Sequence, residues 1–259
     1  MPRMPALFIG HGSPLNTLGD NRHTAAWRRL GQALPRPSAI LAISAHWYVL
    51  GSAVTAMQAP RTIHDFHGFP QALFDFRYPA PGSPALAARV RECLQPLAVA
   101  ADDAWGIDHG AWSVLAHLFP AADVPVVQLS IDRRQPAQFH YDNGARLAAL
   151  RDEGVLILGS GNVVHNLGML RREAPSAAYD WALRFEQAVK ARLLRHDHAA
   201  LVAWEGLDAQ ARLAVPTPEH YLPLLYCIGA QREGDPVSFP VEGIEMGSLS
   251  MLAVGIGVI

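Results

Sequence analysis

The sequence predicts an α/β fold, a single domain with a central mixed, largely parallel sheet flanked by helices. Three observations carry that expectation. Short runs rich in Val, Ile and Leu recur with little polar alternation, as in strands buried on both faces. Stretches of helical spacing separate them, and this alternation favours parallel strands covered by helices. The chain has 259 residues, 50% of them hydrophobic and 17% charged, which is enough apolar material for one large core and too much for a disordered chain.

The first strand is read at Ala6 to Ile9, running into Gly10-His11-Gly12, and the second at Ala39 to Ser44, followed by His46. From Gly51 to Gly82 the alternation breaks. This segment is dense in Pro, Gly and aromatic residues and reads as a hairpin plus a long ordered loop over the sheet, a kind of loop that usually carries function. A helix is expected over Ser83 to Leu97, with Pro84 suited to its first turn, and another over Trp112 to Leu118. Strands at Val124 to Ser130 and Val155 to Leu158, helices at Pro136 to Arg151 and Tyr179 to Arg195, and a closing apolar run from Leu249 to Ile259 complete the series. No repeat, low-complexity tract or linker interrupts it, so residues 1–259 are expected to form one catalytic domain.

Charge and cysteine content narrow the partners. With 21 basic and 23 acidic side chains, the net charge of -2 offers no field for a phosphate backbone, so nucleic acid is not an expected partner. No segment nears the ~18 apolar residues of a membrane span. The short apolar start leaves no room for a signal peptide, and a cytoplasmic location is expected. Cys93 and Cys227 are too few for a disulfide framework and lack CxxC spacing, which fits buried thiols in a reducing compartment. No feature selects an oligomeric state.

Among twelve histidines, position says more than number. His11, His46 and His165 each follow a predicted buried strand, at the carboxyl edge where open α/β sheets bind ligands. One such histidine is an ordinary structural residue; several converging imidazoles suggest a metal site. His220 is held among Pro216, Pro218 and Pro223, which suits either a rigid ligand or a plain turn. His109, in Asp108-His109-Gly110-Ala111-Trp112, could approach the site, while Asp108 suits a helix cap. His64 and His67 could line a polar pocket or lie exposed. His23, His117, His140, His196 and His198 are not expected to be ligands. Gly159-Ser160-Gly161 follows a strand, but Val164 stands where a dinucleotide fingerprint needs its third glycine, and Ser13 lacks the GxSxG frame of a nucleophile elbow.

Several segments together resemble the DOPA-type extradiol ring-cleaving dioxygenases, the class III group related to the β subunit of protocatechuate 4,5-dioxygenase. They are Gly10-His11-Gly12-Ser13-Pro14, Ser44-Ala45-His46-Trp47, Asp65-Phe66 with Gly68-Phe69-Pro70, Tyr78-Pro79-Ala80-Pro81-Gly82, Asp108-His109-Gly110, Gly161-Asn162-Val163-Val164-His165-Asn166-Leu167 and Pro216-Thr217-Pro218-Glu219-His220-Tyr221. The likeness reaches Gly247-Ser248-Leu249-Ser250-Met251 and so spans nearly the whole chain. It implies one divalent metal held by His11, His46 and His220, with His165 as a fourth ligand or as the base and His109 as the acid. Fe(II) is implied for oxygen chemistry, with zinc as a frequently bound alternative. The implied substrates are a small-molecule catechol such as L-DOPA, cleaved at the 4,5 position, and O2. The protocatechuate relatives place a Glu where this chain has His220, with Glu219 beside it, and Asn166-Leu167 after His165 matches bacterial rather than plant members. Phe66, Phe69, Tyr78 and Trp47 could wall a ring-shaped pocket. The same histidines would also serve a zinc hydrolase, and a non-enzymatic binding protein on this fold is the remaining alternative.

Overall fold

The computed structural model describes residues 3–258; Met1, Pro2 and Ile259, the last residue of the closing apolar run, lie outside them. In chain order the elements are β1 (Ala6–Gly10), α1 (Arg22–Ala33), β2 (Ala39–Val49), β3 (Ser52–Thr55), β4 (Arg61–Thr62), α2 (Gln71–Asp75), α3 (Pro84–Cys93), β5 (Val99–Asp102), β6 (Gly106–Ile107), α4 (His109–Leu118), β7 (Val126–Asp132), α5 (Ala137–Leu147), β8 (Val155–Gly161), α6 (Asp180–Leu194), α7 (His198–Val202), α8 (Ala211–Ala214), α9 (Leu222–Gly229), β9 (Val237–Val241), β10 (Ile244–Glu245), β11 (Leu249–Ser250) and β12 (Ala253–Ile256). Eight strands form one sheet in the order β5-β3-β7-β2-β8-β1-β12-β9. The central β7-β2-β8-β1 pairings are parallel, and β12 and β9 add antiparallel strands at one side. The mixed, mostly parallel sheet matches the expected fold class.

Strand geometry sends successive side chains to opposite faces, and here both faces are apolar. Phe8, Leu41, Ile43 and Ile157 face one core, with Val90 of α3, Phe185 and Val189 of α6 and Leu225 of α9. Leu7, Ile9, Ile40, Leu156 and Leu158 face the other, with Trp27 and Leu30 of α1 and Trp112 and Leu115 of α4. Burying β1, β2 and β8 from both sides fixes their register, so side chains at their carboxyl ends are delivered to reproducible places.

Three local expectations differ from the structure. β2 does not end at Ser44 but continues to Val49, so His46 lies inside the strand, where its pairing with β7 shifts register between Ile43 and Tyr48. The segment Gly51 to Gly82 holds no hairpin: β3 pairs with β5 in parallel and with β7, and β4 pairs with β6. α1 was not anticipated, although Asn21 and Thr24 form a capping box at its start. Among the described residues no helix is long and apolar enough to cross a membrane.

Candidate metal centre

Five histidines from five places in the chain line one cavity of about 410 Å³ at the carboxyl edge of the sheet: His11, His46, His109, His165 and His220. His11 is the first residue after β1, and its backbone N–H donates to the Gly161 carbonyl at 3.0 Å. Gly12 follows with φ 61, a left-handed turn in which a side chain would also strike Met251 Sδ. His46 lies within β2 with its backbone N–H on Ser44 Oγ at 3.2 Å, and Ser44 Oγ in turn donates to the buried Asp108 at 2.7 Å. His109 opens α4, which Asp108 caps by accepting from Ala111 N at 3.1 Å. His165 lies in the turn after β8, tied by its backbone N–H to Ala214 O at 2.8 Å and bridged to Leu249. His220 ends the short 3-10 turn Pro218–His220 that precedes α9.

The rings of His11, His46 and His220 form a nearly equilateral triangle, with centroids 5.1, 5.4 and 5.2 Å apart. Hydrogen bonding orients each ring. Ser160 Oγ donates to Gly110 O, so it accepts from His11 Nδ1–H at 3.0 Å. Asp65 Oδ2 pairs with His46 Nδ1 at 3.2 Å, and Glu219 Oε1 accepts from His220 Nδ1 at 3.2 Å. With the proton on Nδ1, each neutral ring carries its lone pair on Nε2. His11 Nε2 and His46 Nε2 then face one another at 3.3 Å, and His220 Nε2 is buried without a hydrogen-bond partner. Two lone pairs at that distance repel unless a proton on His46 or a metal ion joins them. Imidazole nitrogens each about 2.0–2.1 Å from a tetrahedral metal lie roughly 3.3–3.4 Å apart, the separation seen between His11 Nε2 and His46 Nε2.

Ligand-atom spacing alone groups the donors differently: His11, His46 and His109 all lie within 4.8 Å of one another, and so do His165, Glu219 and His220. His109 falls in the first group because it shares Asp65 with His46. Its Nδ1 is 2.8 Å from Asp65 Oδ1, and the two rings are 3.8 Å apart. His165 falls in the second because its ring stacks on His220 at 3.5 Å with only 6° between the planes.

Protonation follows burial and charge. Burial, reinforced by neighbouring imidazoles, holds His11 and His220 far below the ordinary histidine range, which keeps them neutral as donors. Burial pulls His165 down to about 4 against the opposing charge of Glu219. Burial would also lower His46, but its interaction with the acceptor Asp65 and the charges of Asp108 and Asp65 outweigh this and raise the group. His109 is lowered by burial and by His46, against the pull of Asp65. Burial would raise Asp65; the bonds from His109 and His46 overcome this and drive it far below the carboxylate range.

Of the four aromatic residues expected to wall the cavity, Phe66 and Phe69 line it. Trp47 and Tyr78 do not: Trp47 stacks on Trp105, and the buried Tyr78 hydroxyl donates to Phe119 O at 2.8 Å. His64 and His67 are also absent from the lining, and His64 Nε2 bonds Phe76 O at 2.9 Å. The remaining histidines lie elsewhere. His23 pairs with Glu245 at 3.0 Å, His117 with Asn16 O at 2.8 Å and His140 with Tyr226 at 3.0 Å. His198, not expected to be a ligand, is half-buried between Tyr141 and Gln231. Sequence reasoning assigned no role to Ser160 or Asp65, which orient the imidazoles. Ser160 lies in a glycine pair read as a failed nucleotide motif, and a single loop aspartate has no spacing that marks it.

The chain matches the family described as the catalytic LigB subunit of aromatic ring-opening dioxygenase over residues 6–252. It is 55% identical to the 4,5-DOPA dioxygenase extradiol of Escherichia coli strain K12, covering 98% of this chain and 95% of that protein. It is 37% identical to the 4,5-DOPA dioxygenase extradiol of Beta vulgaris over 87% of this chain and 86% of that one. A crystal structure of an uncharacterized Escherichia coli K12 protein superimposes with a TM-score of 0.87 at 51% identity, covering 98% of this chain and all of that one. The chain belongs to the LigB family of aromatic ring-opening dioxygenases.

Proposed function

Proceeding from that membership, we propose that residues 1–259 form one catalytic domain, an extradiol dioxygenase that opens a catechol ring with O2 at a single divalent metal. His11, His46 and His220 are the proposed ligands and L-DOPA, cleaved at the 4,5 position, the substrate to test first. The observation that carries this is the convergence of three imidazoles, each with Nδ1 committed to an acceptor and Nε2 left as donor, on one cavity that His109 and His165 also line. His220 is preferred to His109 as third ligand because its Nε2 is buried without any other partner. Bound there, ferrous iron supplies a redox-active centre at which a diol and O2 can meet, whereas zinc supplies only Lewis acidity.

The chain's own groups then handle protons and position. His165, lowered to about 4, is neutral at pH 7 and can accept a catechol hydroxyl proton. His109 is the proposed acid: Asp65 accepts from its Nδ1 and offsets part of the lowering by burial and by His46, and a second proton taken up on Nε2 is the one it would donate. Each role is worth about 10²- to 10⁴-fold in rate. Phe66 and Phe69 offer apolar surface to the ring. Among the described residues, Arg172 is the only Lys or Arg that lines the cavity and no carboxylate lines it, which favours a catechol bearing its own carboxylate over a cationic one. Two free thiols, Cys93 and Cys227, and a ferrous centre both suit a reducing cytoplasm.

One feature favours a second reading. Three neutral imidazoles make a ligand set found in catalytic zinc sites, while non-haem iron oxygenases commonly use two His and one carboxylate. Anaerobic loading with Fe(II), followed by L-DOPA, dopamine and catechol under air, separates the two. The dioxygenase is expected to consume one O2 per catechol, form a yellow ring-fission product and turn over L-DOPA at lower KM than dopamine. Metal-dependent hydrolysis of ester or amide probes, with no O2 uptake on any catechol, would establish the hydrolase instead.

A further inference from the structure

We infer that Asp65 is a positioning residue that holds two members of the site at once, the proposed metal ligand His46 and the proposed acid His109. Its kinetic consequence rests on the function proposed above; its effect on metal binding does not.

Asp65 lies in the loop between β4 and α2, away in sequence from both partners. Its Oδ2 lies 3.2 Å from His46 Nδ1 on β2. Its Oδ1 lies 2.8 Å from His109 Nδ1 and accepts the His109 backbone N–H at 3.0 Å, at the start of α4. One carboxylate thereby joins a strand and a helix start whose imidazoles are 3.8 Å apart. The next residue, Phe66, packs edge-on against His109 with ring centroids 5.3 Å apart, so this loop also seats the cavity wall.

A carboxylate accepts at both oxygens, which allows both imidazoles to donate from Nδ1 and to keep Nε2 as the outward atom. A carboxamide accepts at one oxygen only. In Asp65→Asn the amide oxygen is expected at the Oδ1 position, where His109 supplies two donors, and the amide NH2 then faces His46. His46 must accept at Nδ1 and carry its proton on Nε2, the atom turned toward His11 Nε2. The volume of the side chain is unchanged; what is lost is the lone pair that would bind metal.

The test has two arms. Zn2+ affinity, measured by chelator competition on wild type and Asp65→Asn with thermal unfolding as the check on folding, is expected to fall about 10- to 100-fold. Should Asp65→Asn not fold, Asp65→Ala, which removes both acceptors and adds no donor, is expected to show a loss in the same range. Affinity within about twofold of wild type overturns the link to His46. In the second arm, kcat is measured at saturating Fe(II) and catechol for Asp65→Asn, His109→Ala and the double variant. If Asp65 acts through His109, adding Asp65→Asn to His109→Ala costs less than about threefold. Losses that multiply overturn that link. If wild type turns over no catechol, the reaction proposed above fails while the zinc titration still decides the role of Asp65.

Discussion

Replacing Gly161 by alanine tests whether the close packing of two chain segments sets the proposed metal site. Gly161 is the last residue of β8, and its carbonyl accepts from His11 N–H at 3.0 Å. The next residue, Asn162, donates its N–H to the His220 carbonyl at 2.8 Å. A Cβ on residue 161 would meet the His220 carbonyl carbon at 3.0 Å and lie well inside the allowed contact distance of its oxygen, with Pro223 Cγ at 3.3 Å behind it. Its φ is not in the left-handed region, so the effect is steric alone. To clear the methyl, the His220 backbone must retreat by about 1 Å, against a tolerance of roughly 0.2 Å on metal-ligand positions. A displacement of that size costs about 100-fold in function, equivalent to about 3 kcal/mol of binding free energy. Zinc affinity by chelator competition is the assay. Gly159→Ala serves as control, because its Cβ would press on Pro223 O and Cys227 Sγ and overpack the same interface two residues back on the same face of the strand. Gly161→Ala is expected to lose far more affinity than Gly159→Ala at comparable loss of unfolding free energy. Wild-type affinity in Gly161→Ala would refute both the assignment of His220 as ligand and the steric argument.

Other outcomes separate ligands from proton carriers and packing from function. His11→Ala and His46→Ala are expected to lose tight metal binding, whereas His109→Ala should keep its metal and lose about 10²- to 10⁴-fold in kcat; full metal occupancy in His11→Ala would remove that assignment. His140 provides a pH test outside the cavity. Burial lowers it to about 4 from an ordinary 6.5, so the unfolded chain takes up this proton more readily than the folded one. The stability it permits is complete above the unfolded value and is lost as pH falls from about 6.5 toward 4, amounting to about 2 kcal/mol between pH 7 and pH 5. Urea unfolding at the two pH values should show that much less acid sensitivity in His140→Leu, and equal sensitivity in variant and wild type would contradict the burial argument.

What could be read in the chain follows from which interactions are local. β1, β2 and β8 were legible as continuous apolar runs because strands covered on both faces need no polar alternation, and their carboxyl ends brought His11 and His165 into consideration. The extension of β2 through His46 was missed because half-buried positions beyond Ser44 mix polar and aromatic residues, although Trp47, Tyr48 and Val49 all favour strands. The expected hairpin failed for a different reason. β3 meets β5 only after some forty residues have intervened, and pairing at that distance leaves no periodic trace next to the turn.

The site divides along the same line. That several imidazoles belong to one centre could be argued from strand-end placement for His11, His46 and His165, although β2 in fact runs on through His46, while His220 and His109 entered through family resemblance and prolines or capping residues near them. What no one-dimensional pattern carries is the ring orientation. Ser160, Asp65 and Glu219 decide which nitrogen of each imidazole holds the proton, and they come from a strand, a loop and a 3-10 turn with no shared spacing. The distinction has chemical weight: three histidines with protons on Nε2 would repel a cation from the same triangle that, with protons on Nδ1, presents it with three lone pairs. The chemistry of this cavity therefore depends as much on the acceptors behind the rings as on the rings themselves, which is why substitution of Asp65 is expected to reach both the metal and the acid.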